Sequence, residues 1–201
     1  MTGQSHDCPG IEPAQSAALT EVLGRNAWFM RALGVVARSG LPDAWIGAGA
    51  VRDVVWSGGR FDPREVNDVD VAFFDSADVS SDRDAGAQRA LRELADLPWE
   101  ATNQAAVHTW YHEYFGGPPV DPFVSVHDAV ATWPETATCV AVRLRADGLE
   151  VCAPLGLADL LMEVWRVNPV RVTPDVSLTR LARQRVHARW PTVTVVPPRA
   201  N

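Results

Sequence analysis

WIGAGAVRDVVWSGGRFDPREVNDVDVAFFD, residues 45–75, is the stretch whose reading decides the fold. It reads as strand, glycine turn, short helix, loop and second strand. The first strand is brief and apolar, Ala44 to Ile46, and Gly47-Ala48-Gly49 then allows a tight turn with close backbone approach. Ala50 to Trp56 reads as a helix whose unpaired N–H groups and positive dipole end face that turn, an end that attracts phosphate. A polar loop, Ser57 to Asn67, leads to the second strand, Asp68 to Phe74.

Side chains alternate along a strand, so Asp68 and Asp70 share one face with Ala72, while Val69, Val71 and Phe73 point into the core. Neighbouring carboxylates repel, and either one takes up a proton or both share a cation. Hard oxygen pairs suit magnesium, which takes one or two carboxylates together with substrate phosphates. A phosphate-attracting turn beside a magnesium-attracting strand is equipment for a nucleoside triphosphate. Arg52 stands where a dinucleotide fingerprint needs its third glycine, which argues against a Rossmann site.

AGAVRD followed by DVD resembles the head-domain signature of the DNA polymerase β nucleotidyltransferase superfamily, a glycine turn, often GGxVRD, followed by an Asp-x-Asp strand. The stretches NDVDVAFFD, WEATNQAAVHTWY, ATWPETATCVAVRL and APLGLADLL are similar to a small bacterial branch of it, from about Trp45 to Pro169. The resemblance implies an α+β fold: a mixed, mostly antiparallel sheet of about five strands with helices mainly on one face. It implies metal-dependent transfer of a nucleoside monophosphate from a triphosphate to an acceptor hydroxyl. Magnesium would be the cofactor, as two ions, with manganese able to replace it.

Asp68 and Asp70 would then be metal ligands, and Gly47, Ala48, Gly49 and Arg52 would hold the triphosphate. A third acid on a neighbouring strand completes such a site. Glu100, directly after a helix, is the candidate, and Glu150 the runner-up. Asn103 and Gln104, with His108, either hydrogen-bond ribose, base or acceptor, or cap and line the following helix. Asp53 is expected to orient Arg52 or a loop rather than bind metal. The resemblance does not name the acceptor. A catalytically weak nucleotide-binding or regulatory module, or an antitoxin-like interaction partner, on the same fold is the alternative.

The chain has 201 residues, enough for one domain, here taken as 1–201 with a loose arm over 1–13 and a basic helical cap and tail over 170–201. Lysine is absent. Residues 1–165 hold 11 Arg against 24 Asp and Glu, −13, whereas 166–201 hold 7 Arg against Asp175, +6. An acidic body repels long nucleic acids, so the acceptor is expected to be a small molecule or a protein. The length also speaks against a tRNA acceptor. The basic tail either binds phosphate or docks as an arginine-rich helix on the acidic body.

Cys8, Cys139 and Cys152 are odd in number and widely spaced, which fits free thiols and not a zinc site or disulfide framework. With no membrane-length apolar run and no signal-peptide pattern, the expected location is the cytoplasm. Helices are expected at Ser16 to Leu23, Asn26 to Ala37, Asp84 to Asp96, Val126 to Thr132, Leu157 to Trp165 and Val176 to Arg189. Strands are expected at Thr138 to Arg145 and Leu149 to Ala153. Leu91 and Leu94 are expected to face the core. Trp133 to Ala137, WPETA, has no readable chemical role.

Overall fold

A computed structural model describes residues 10–115 and 119–196. Five strands form one sheet in the order β3-β2-β1-β4-β5: β1 Trp45–Gly47, β2 Val69–Phe73, β3 Trp99–Asn103, β4 Ala141–Arg145 and β5 Gly148–Cys152. Only the β2–β3 ladder is parallel; the other three pairs are antiparallel. The sheet is thus mixed and mostly antiparallel, as expected.

Strand alternation divides the residues between two cores. Ile46, Val69, Val71, Phe73, Trp99, Ala101, Val142 and Val151 join the larger one. It is covered by α1 (Pro13–Gly24), α2 (Ala27–Arg38), α3 (Ala48–Trp56) and α4 (Ser81–Leu94). On the opposite face Trp45, Ala72, Ala141 and Cys152 pack with Cys139 and with Val126 and Val130 of α6 (Val126–Val130). Asp70, Glu100 and Thr102 alternate onto this second face. Because α6 covers only part of it, a cleft remains above β2 and β3.

The caps follow the sequence. Asn26 accepts the Phe29 N–H at 2.9 Å and opens α2, while its amide donates to the Gly59 and Phe61 carbonyls. The same side chain therefore starts the helix and pins the loop before β2. α5 (Val107–Phe115) follows β3 through a single 3-10 turn at Gln104–Ala106.

The C-terminal third departs from expectation. The apolar run expected as a helix from Leu157 to Trp165 is helical only over α7, Ala158–Leu161. Glu163 then adopts φ +53°, and Val164–Arg166 becomes β6, pairing in parallel with β7, Thr194–Val196. That pairing joins segments almost thirty residues apart, which no local pattern encodes. The last expected helix splits into α8 (Pro174–Arg183) and α9 (Val186–Arg189) at Arg185, whose φ is +51°. Leu91 is fully buried, but Leu94, expected inside, is 47% exposed. Among the described residues no helix is long and apolar enough to cross a membrane. The N-terminal arm is described only from Gly10 onward, and Cys8 lies outside the described residues.

Candidate active site

The turn between β1 and α3 is shaped by its surroundings. Gly47 is extended, with φ −144°, and a Cβ there would stand 2.5 Å from Cη2 of the Trp133 indole. Its glycine is required by that packing. Ala48 takes the left-handed conformation, φ +52°, and its N–H donates to the Val140 carbonyl at 3.1 Å. Gly49 sits over the acidic strand: a Cβ on it would lie 3.9 Å from Asp70 Oδ2, so its backbone lies against the Asp70 carboxylate. The glycine turn and the Asp-x-Asp strand are thus in contact.

Asp70 stands opposite Glu100 in the parallel register of β2 and β3. Asp68 directly precedes β2 and is exposed, as is Glu100. Burial pushes the Asp70 carboxyl up to about 7, with the charges of Asp68 and Glu100 adding to the rise and the Gly49 N–H and Arg52 opposing it. Asp68 is raised by desolvation and then by Asp53, and Glu100 by desolvation and then by Asp68. The three acids therefore feel one another, as carboxylates on one face must. As placed, no three His, Cys, Asp or Glu side chains among the described residues converge tightly enough to hold an ion. Glu150, the runner-up, lies on the far edge strand and is bonded by Arg143 and Arg145.

Arg52 is buried and engaged. Its Nε and Nη2 donate to Asp53 Oδ1 at 2.9 and 2.6 Å, and its Nη1 donates to Gln184 Oε1 at 2.7 Å. Its guanidinium lies 5.6, 5.8 and 4.9 Å from the ring centroids of Trp56, Trp165 and Trp190. The expectation that Asp53 orients Arg52 matches this geometry. Arg52 also lines the cleft: its Nη2 would lie 3.8 Å from a Cβ on Gly49, and its charge opposes the pKa rise of Asp68 and Asp70.

Asn103 does not line the cleft. It is fully buried, accepting from the Asp75 and Ala105 N–H groups and donating to the Asp75 and Asp78 carbonyls. It therefore holds the loop after β2 in place. Gln104 does line the cleft, with its amide donating to the Thr102 carbonyl at 3.1 Å. His108 does not line it.

The cleft has a volume of about 870 Å³. Sequence reasoning missed several of its walls. Trp133, from the WPETA stretch, backs the glycine turn, and Glu135 of the same stretch is fully buried against Arg180 of α8, with Nε to Oε1 at 2.7 Å. Arg189 of α9 bonds Asp53 at 2.8 Å. Part of the basic tail thus docks on acidic residues of the body. Arg183 is different: it lines the cleft exposed, forms no ion pair among the described residues, and its charge reaches Asp68. A surplus of C-terminal arginine was the one signal that could have pointed to it.

A family model described as nucleotidyltransferase matches residues 34–195. A solved NMR structure, described as revealing a CCA-adding enzyme head domain, superposes with a TM-score of 0.73. It is 27% identical, with 90% of this chain and 95% of that one covered. No curated protein matches the chain.

Proposed function

The chain belongs to the nucleotidyltransferase family, and on that premise we propose that it transfers a nucleoside monophosphate from a nucleoside triphosphate to a hydroxyl acceptor, with magnesium as cofactor and pyrophosphate as the second product. The observation that carries the reading is the adjacency of three features: the backbone of Gly49 lies against the Asp70 carboxylate, and Asp70 faces Glu100.

Asp68, Asp70 and Glu100 are an all-carboxylate donor set on one face of the sheet, the chemistry a hard divalent cation takes. Asp68 and Glu100 are exposed, and holding an ion would require their side chains to turn towards Asp70. Magnesium, or manganese, would neutralise charge on the phosphates and make the acceptor hydroxyl more acidic. The chain's own residues do the remainder. Gly49 lies against Asp70, and Arg183 and Arg52, both lining the cleft, supply positive charge beside the acids for the phosphates. Glu100 accepts the proton as the acceptor oxygen bonds to the α-phosphorus and the bond to the β-phosphate oxygen breaks. A small-molecule or protein acceptor fits the acidic body better than a long nucleic acid.

The test incubates the protein with magnesium, α-labelled triphosphates and cell extract, beside an Asp68→Asn/Asp70→Asn double variant. Label transferred by the wild type and lost in the variant supports the reading. Tight magnesium-dependent nucleotide binding without pyrophosphate release across a broad acceptor panel would make the chain a binding module.

A further inference from the structure

Five arginines line the cleft, and ion pairs engage three of them: Arg52 and Arg189 with Asp53, and Arg180 with Glu135. Arg183 stands beside Asp68. Arg171, in the segment between β6 and α8, is in another situation. Its guanidinium lies over the rings of Tyr111 and Phe123, with centroids 5.1 and 4.6 Å away. Its Nε and Nη1 are buried without a hydrogen-bond partner, and it forms no ion pair among the described residues.

Burying guanidinium donors without an acceptor is costly, and desolvation lowers the Arg171 pKa from the ordinary arginine value. Aromatic faces return only part of that cost. Nothing in the packing needs a charge here, since a neutral side chain of similar length would cover the same rings. A cation kept under these conditions is set for an anion that arrives from outside.

The strand order says which anion. In β3-β2-β1, the glycine turn leaves β1 on one side of the Asp strand, and β3 with α5 lies on the other. The cleft lining runs from Glu100 through Thr102, Gln104 and Val107 to Tyr111, against which Arg171 rests. Arg171 therefore stands on the Glu100 side, away from the turn that would carry the triphosphate. A negative acceptor entering there meets an acidic body, so a local cation is what would hold it.

We infer that Arg171, stacked on Tyr111 and Phe123, is the subsite for a negatively charged group, a carboxylate or a phosphate monoester, on the acceptor whose hydroxyl is nucleotidylated. This rests on the transfer reading above. The subsite fixes the acceptor by its charged end, while its hydroxyl reaches Glu100 and the α-phosphorus.

The experiment follows the Arg171 Nε–H resonance by NMR while inorganic phosphate or acetate is added, with and without magnesium and an α,β-methylene triphosphate analogue. A saturable shift that persists with the analogue bound supports the subsite, and whether phosphate or acetate produces it tells the two sources apart. Arg171→Met should weaken anion binding at least tenfold while melting no lower than the wild type, because it removes a desolvated charge and keeps the stem on the rings. A resonance that neither anion moves, displacement of the anion by the analogue, or an Arg171→Met variant that melts well below the wild type would each overturn it. Analogue binding itself is read at the Gly49 amide. Its failure there, with the Arg171 shift intact, would refute the transfer reading and leave the anion site standing.

Discussion

The Trp133 indole occupies the space that a side chain on Gly47 would need. A Cβ there would stand 2.5 and 2.6 Å from two ring carbons and 3.0 Å from the Val140 carbonyl. The glycine at the junction of β1 and α3 and the tryptophan of WPETA are therefore one packing unit. Gly47→Ala is expected to cost about 1–3 kcal/mol, the usual range for overpacking. Denaturant unfolding of Gly47→Ala, Trp133→Leu and the double variant measures it. The double variant should be less destabilised than the sum of the single ones, since the clash with the indole, the closest of these contacts, exists only when Trp133 is present.

The next residue is strained in the opposite sense. Ala48 sits at φ +52°, where its Cβ opposes the left-handed backbone. Ala48→Gly relieves that strain and loosens the unfolded chain, so the net gain is smaller, up to about 1 kcal/mol. Thermal unfolding checks it, and a lower melting temperature would show that the turn prefers alanine.

The C-terminal arginines should separate cleanly by substitution. Arg180 neutralises Glu135, which is fully buried. Arg180→Ala leaves that carboxylate unpaired and should destabilise by about 3–5 kcal/mol. Arg183 is exposed and forms no ion pair among the described residues, so Arg183→Ala should stay within about 0.5 kcal/mol. Its loss should appear instead as weaker magnesium–triphosphate binding, measured by isothermal titration.

How much of this could be read in the sequence follows from how local each signal is. Asp68, Asp70 and the glycine turn lie within twenty-five residues, and a period of two places both acids on one face without any knowledge of the fold. Glu100 was legible because a helix after one strand returns the chain to a parallel neighbour, where Glu100 meets Asp70. Arg52 was legible only in part. The VRD motif supplies a cation near the turn, but only the folded chain brings Trp56, Trp165 and Trp190 around it. Asn103 likewise reads as a polar residue after Glu100, and its partners Asp75 and Asp78 lie on a segment that it meets only in three dimensions. The β6–β7 pair and the Arg171 stack join parts of the chain that no window spans. The C-terminal arginines look alike in composition, and the split of Arg180 and Arg189, paired with the body, from Arg171 and Arg183 belongs to the tertiary structure.

Asp70 makes the protein pH-sensitive in a defined direction. Its carboxyl titrates near 7 in the folded chain, against an ordinary value of 3.8. Between those values the folded state keeps a proton that the unfolded state has lost. In magnesium-free buffer, the contribution of Asp70 to stability is therefore present below about pH 4 and is lost as the pH rises towards 7. Asp70→Asn should flatten that part of the profile in melts from pH 4 to 8. The protonated carboxyl cannot ligate a metal, so magnesium affinity should rise through the same window.

The most direct measurement of the central claim titrates manganese, as a paramagnetic stand-in for magnesium, into the wild type, Asp70→Asn, Glu100→Gln and Glu150→Gln in the presence of a non-hydrolysable triphosphate. The account predicts binding in the wild type and in Glu150→Gln, and at least a tenfold loss in Asp70→Asn and Glu100→Gln with both variants folded. Wild-type affinity in Asp70→Asn, or a loss in Glu150→Gln alone, would contradict it.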